Sequence, residues 1–232
     1  MARLWGWRVP KRGLGLLMTD KGLALAQSQA TVRSGDQHCA WHWHRWTASD
    51  SPAASGAWPD PGQLRKALAR SGFQAQATAV AVPEAQLQRF SLSLEPGQST
   101  RQMHAAIAAQ LGRLLPHPVQ ETVWDFELRQ APTAANAAPT AQPAWLQAAM
   151  QAQSTPTADV LVITRAWVGA CEHFCRAAGL QLVRLEPPWQ ASSRWQVFAQ
   201  HHADQASEPV AQVLTAQEQA VLGGLALGVL MP

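Results

Sequence analysis

Hydrophobic positions along the chain fall into short runs with strand or helix spacing, separated by strong breakers. Residues 13–18 and 22–27 are apolar runs around Thr19-Asp20-Lys21 and predict two strands joined by a tight turn. Residues 39–47 alternate well enough for a third strand, with Trp on both faces. Asp60-Pro61 is an N-cap followed by proline at the first helical position; Leu64, Ala67 and Leu68 supply the apolar stripe, and Gly72 stands where the C-terminal cap belongs. A strand over 76–82 follows, then Pro83, which cannot donate to a central ladder, and a strand over 86–94. Ser99-Thr-Arg-Gln102 has the form of a capping box and opens a helix with Met103, Ile107, Leu111 and Leu114 on one face. Leu115-Pro116-His117-Pro118 stops that helix, and 121–128 alternates again through Trp124, Phe126 and Leu128.

Residues 130–158 carry no charge and are rich in Ala, Pro, Gln and Thr, so they read as a loop, with one short helix at 143–151. A buried strand is predicted at 159–164 and a helix at 166–178 with Trp167, Cys171, Phe174 and Ala178 inward. Gly179 caps that helix, and 180–185 is the next strand. Pro187-Pro188 breaks the chain before a helical piece at 192–201 and a polar link to Pro209. Thr215-x-x-Glu218 is a second capping box, opening a final helix over 216–229. Strands alternating with helices place the chain in the α/β class.

Composition narrows the function. With 232 residues, 47% apolar, there is material for a sizeable core. Eighteen basic against 15 acidic residues leave only +3, without the clustered Lys/Arg of a nucleic-acid surface. The 11 Trp are scattered, which suggests composition rather than a binding code. Three cysteines imply no disulfide framework and fit a reducing compartment. No signal peptide is evident, and the uncharged run 219–232 falls short of the roughly 20 residues a span needs. Residues 1–12 mix Trp5 and Trp7 with Arg8 and Arg12 and contain no acid, which suits a lipid interface as well as an ordinary solvated terminus.

No residue set reads as a catalytic or metal centre. His42 and His44 share one strand face while Cys39 points to the other, so the three do not converge. Cys171 and Cys175 lie four apart on one helix face and read as buried thiols. His201-His202 reads as a solvated helix end.

The order of several segments resembles PilM-type pilus assembly proteins: Ala79-Val-Ala-Val-Pro83, Arg89 soon after, Leu114-Leu-Pro-His-Pro118, then Trp124-Asp-Phe-Glu-Leu128. The segments ADVLVITR and AAGLQLVRLE, and more weakly 13–27, extend the match. The resemblance implies an actin-like, ribonuclease-H-like domain with a small inserted strand–strand–helix–strand subdomain. The expected divisions are an arm at 1–12, the main domain at 13–82, the insert at 83–129, the loop at 130–158, and the rest of the main domain at 159–232. It also implies a non-catalytic scaffold of a type IV or competence pilus, on the cytoplasmic face of the inner membrane. Its partner would be the N-terminal cytoplasmic tail of a bitopic PilN-like protein, gripped in a groove beside the insert. Arg89, Phe90, Leu115 and Pro116 are the expected lining, with Trp5, Trp7, Arg8 and Arg12 as an added membrane contact. The family's phosphate loop reads G-x-D-x-G-x-x-x-x-K; here the degenerate loop runs through Gly15, Thr19, Asp20 and Gly22, with Leu17, Thr19 and Ala24 at the key Asp, Gly and Lys places. Leucine cannot hold a hard cation, which wants oxygen ligands. The second ribonuclease-H-like half is also missing, so no cofactor and no turnover are expected. Competing expectations are an actin-like ATP-binding protein with a weak nucleotide site, and the cytoplasmic module of a type II secretion platform protein.

Overall fold

A computed structural model describes residues 12–19, 22–33, 36–47, 60–129, 156–202 and 214–230. The first three strands, β1 (Arg12–Thr19), β2 (Gly22–Arg33) and β3 (Asp36–Thr47), form an antiparallel meander, with Leu16 opposite Leu25 and Leu25 opposite His44. Helix α1 (Pro61–Arg70) starts where Asp60 accepts from the Gly62 amide. It returns the chain through Gly72, whose φ of 75° suits glycine. Strand β4 (Ala77–Ala81) then pairs parallel with β1. The fifth strand of this sheet, numbered β8 in chain order (Gln181–Glu186), pairs parallel with β4, giving the order β3-β2-β1-β4-β8.

The chain's middle forms a second sheet of three strands, covered by one helix. Strands β5 (Gln88–Ser93), β6 (Thr122–Arg129) and β7 (Thr157–Thr164) lie in the order β5-β7-β6, all antiparallel. Helix α2 (Thr100–Leu114) covers one face. Its predicted capping box is present, the Ser99 hydroxyl accepting from the Gln102 amide and the Gln102 side chain from the Ser99 amide. Leu92, Leu94, Ile107, Leu111, Leu115, Ala158, Val160 and Val162 make the core of this unit.

Two compact units result: residues 85–168, and residues 1–84 with 169–232. The expected insert ends at 129 and leaves 159–164 to the main domain. Instead β7 is the central strand of the small sheet, so the insert runs on through it. The segment at 130–155 and its predicted short helix lie outside the described residues.

The larger unit is organised by its last helix. After β7 come α3 (Arg165–Ala177), β8, α4 (Pro188–His201) and α5 (Ala216–Leu230). Helix α5 opens with the predicted capping box, Thr215 and Glu218 exchanging backbone-to-side-chain hydrogen bonds of 2.7 and 3.2 Å. Val221 through Val229 are all buried, so the helix is enclosed on every side. It reaches the sheet closely because Gly13 and Gly15 leave room for the Ala226 and Leu222 carbonyls, and Ser28 donates to Ala226 O at 3.1 Å. Gly223 and Gly224 perform the same service toward Trp195 and the Ala191 backbone of α4. Three of the Trp are not scattered in space: Trp41, Trp43 and Trp195 pack with Phe198, Trp41 and Trp195 meeting edge-on at 5.0 Å. Arg194 grips the buried Glu186 with two bonds of 2.7 and 2.8 Å and also donates to Gly224 O, tying β8, α4 and α5 together.

Candidate partner-binding site

The four residues expected to line a peptide groove all sit in the smaller unit, but they do not converge. Arg89 and Phe90 are neighbours on β5 and therefore point to opposite sheet faces. Phe90 packs, half-buried, against the core under α2. Arg89 is on the other face with a 55% exposed side chain, 3.4 Å from Asp159. Leu115 is the C-cap of α2, and its extended backbone turns it into the core, where it is 8% exposed. Leu114, expected on the apolar face, is instead 53% exposed. Pro116 is exposed. Phe90 and Leu115 thus belong to the core, whereas Arg89 and Pro116 are exposed.

The phosphate-loop positions serve packing. A Cβ added at Gly15 would stand 2.5 Å from Leu222 O, so this glycine accommodates a helix backbone. Leu17, paired with Ala24, packs partly buried against the same core cluster. Thr19 and Gly22 face one another at the end of the hairpin, and Asp20 lies outside the described residues. Of the N-terminal arm, Trp5, Trp7 and Arg8 lie outside them too. Arg12 does not belong to an arm: it opens β1 and hydrogen-bonds Gln29 at 3.1 Å and also Gln74.

The other titratable clusters resolve as structure. His42 and His44 flank Phe73, ring centroids 4.7 and 6.4 Å away, and burial followed by the neighbouring His42 pushes the His44 pKa down. The Cys171 and Cys175 thiols are buried; the hydrogen bond between them, then burial, pushes Cys171 up, away from nucleophilic use. No group of His, Cys, Asp and Glu suited to a metal ion occurs among the described residues.

The smaller unit offers two sheet edges, β5 and β6. Leu94 N–H bonds Pro156 O across the β5–β7 ladder, and antiparallel partners alternate. Phe90 and Leu92 therefore direct their backbone groups to β7, while Arg89, Ser91 and Ser93 direct theirs outward. Applied to β7 and β6, the same alternation turns the groups of Trp124, Phe126 and Leu128 outward. The pattern Trp-Asp-Phe-Glu-Leu-Arg in β6 held this signal, since its alternation fixes which backbone groups share an edge with which side chains.

The main sheet has the meander-then-parallel order of a ribonuclease-H-like domain, with the second unit entering after β4. No family model and no curated protein matches the sequence. Among solved structures, a chain of the PilM-PilN type IV pilus biogenesis complex superposes with a TM-score of 0.54 at 17% identity, over 85% of this chain. The chain has a PilM-like, actin-like fold. The cytoplasmic domain of EpsL, an inner-membrane component of the Vibrio cholerae type II secretion system, gives a TM-score of 0.44 at 14% identity, covering 78% of this chain and 58% of that one. This PilM-like chain spans about half, 52%, of the pilus-complex chain it matches.

Proposed function

We propose that the protein is a non-catalytic scaffold of an inner-membrane type IV or competence pilus assembly complex. Its ligand is the N-terminal cytoplasmic tail of a bitopic PilN-like protein. The observation that carries this reading is the likeness over 85% of the chain to a structure solved as a PilM-PilN complex. Fold alone does not fix function, so the site chemistry matters. The hairpin that would cradle phosphate instead presents Leu17 to an apolar core and uses Gly15 to admit α5, which argues for partner binding over nucleotide turnover. Among the described residues no helix is long and apolar enough to cross a membrane. The partner's tail brings the protein to the inner face of the membrane. Arg89 and Pro116 are the exposed members of the expected lining.

The test is co-purification with the membrane protein encoded immediately downstream. Recovery of both proteins, lost when the partner's N-terminal tail is deleted, is expected. Equal recovery with and without the tail contradicts the proposal.

A further inference from the structure

We propose that the open edge of β6 is a strand-addition site for an extended segment alternating apolar and basic residues. The inference rests on the edge itself and stands whichever assembly the chain serves.

Natural edge strands are normally blunted by bulges, short length or charge, because their unpaired groups template another strand. One edge of the larger sheet follows that rule: in β8 the register slips, leaving Val183 as an extra residue. The β5 edge is shorter, and the Gln110 side chain fills one of its outward carbonyls, Ser93 O, at 3.0 Å. The β6 edge has no bulge; the Arg165 side chain fills an outward carbonyl only at its first residue, Thr122 O at 3.3 Å, and its charges, Asp125 and Glu127, lie on one face only. Its register with β7 is unbroken over eight residues, and the backbone groups of Trp124, Phe126 and Leu128 face outward. Between Trp124 and Leu128 one group is provisionally filled: the Phe126 N–H donates to Oδ1 of its own neighbour, Asp125, at 2.9 Å. An incoming carbonyl would take that place and release the carboxylate.

The side chains specify the occupant. On the α2 side the edge shows Trp124 and Phe126, half-buried, and Leu128, 41% exposed, with the His104 ring 5.4 and 5.0 Å from the two aromatic rings. A strand laid alongside would place every second residue against this apolar row. On the opposite face the edge shows Asp125 and Glu127, both exposed and without an ion pair among the described residues, while Arg129 turns inward to Asp159 at 2.6 Å. The alternate residues of the added strand therefore meet two uncompensated carboxylates and should be Lys or Arg. A second copy of β6 would bring its own Asp125 and Glu127 against these, so charge disfavours self-pairing.

The experiment measures fluorescence anisotropy of the full chain with a labelled peptide of about eight residues alternating valine and lysine. The expected result is saturable binding, at least about tenfold weaker for the valine–glutamate peptide. Leu128→Pro removes an outward N–H without touching the β6–β7 ladder and should weaken binding by at least about tenfold. Glu127→Lys, a surface change that keeps the fold, should shift preference toward the glutamate peptide, and Ser91→Pro on the β5 edge should leave affinity unchanged. Equal binding of the two peptides, no shift of preference with Glu127→Lys, or loss on Ser91→Pro would overturn the proposal. So would concentration-dependent dimers of the free protein, disrupted by Leu128→Pro, in the absence of peptide binding.

Discussion

A methyl group added at Gly15 separates the two uses that this glycine could have. Its Cβ would stand 2.5 Å from Leu222 O and 2.9 Å from Leu225 Cβ, and neither atom is the free end of a flexible side chain. To restore ordinary contact α5 must lift by most of an ångström, although it is buried from Val221 to Val229. Overpacking of this kind costs about 1–3 kcal/mol, and a helix backbone that cannot rotate aside puts Gly15→Ala near the upper end. Relief of glycine's backbone entropy returns roughly 0.5–1 kcal/mol, leaving a net loss of about 2 kcal/mol. For a chain of this size that lowers Tm by about 4–8 °C. Urea denaturation followed by the fluorescence of Trp41 and Trp195, which lie in the same unit, reads it directly. The midpoint should fall with an unchanged slope. Gly169→Ala is the control: Gly169 is in α3 with nothing within 4 Å of an added Cβ, so the same substitution should stabilise by roughly 0.5–1 kcal/mol. If Gly15→Ala is as stable as the wild type, the glycine is not there to admit α5.

Ile107 is fully buried at the centre of the α2 face, so Ile107→Asp should cost several kcal/mol and unfold the smaller unit; wild-type thermal stability in that variant would refute the assignment of the helix face. The His44 pKa is lowered, by burial first and His42 second, so its contribution to stability is present above about pH 6.5 and is lost as pH falls below that value. Denaturation midpoints at pH 7.5 and 5.5 should therefore differ, and His44→Gln should narrow the gap; an unchanged gap would assign the effect elsewhere. Calorimetry with magnesium-ATP should show no saturable heat, whereas a dissociation constant near 1 μM, about −8 kcal/mol, would restore a nucleotide function.

Local signals in the sequence located elements well and their partners less well. Both capping boxes, the Asp60 cap and the glycines after α1 and α3 mark helix ends through chemistry within a few residues, and the structure places the ends there. Strand β7 shows the limit. Its residues predict a buried strand, yet nothing local tells which sheet receives it, because that depends on partners 28 to 74 residues away in the chain. The end of α2 is a smaller instance. Helical spacing puts Leu114 on the apolar face, but the chain leaves the helix at Leu115, and the extended cap rotates that residue inward in its place. The expected groove residues do not share a face for a related reason: Arg89 and Phe90 are adjacent in one strand, and a strand sends neighbours apart. The glycines of the hairpin resemble part of a phosphate loop because both a phosphate and a closely packed helix require the absence of a Cβ.

The central claim is that this chain holds the cytoplasmic tail of a membrane partner. Isothermal titration of the full chain with a synthetic peptide of the downstream membrane protein's N-terminal tail tests it most directly. Saturable one-to-one binding, absent for a scrambled peptide and weakened by Arg89→Glu with the circular dichroism unchanged, is the predicted result. No heat from the native tail, or equal heats from native and scrambled peptides, would contradict it.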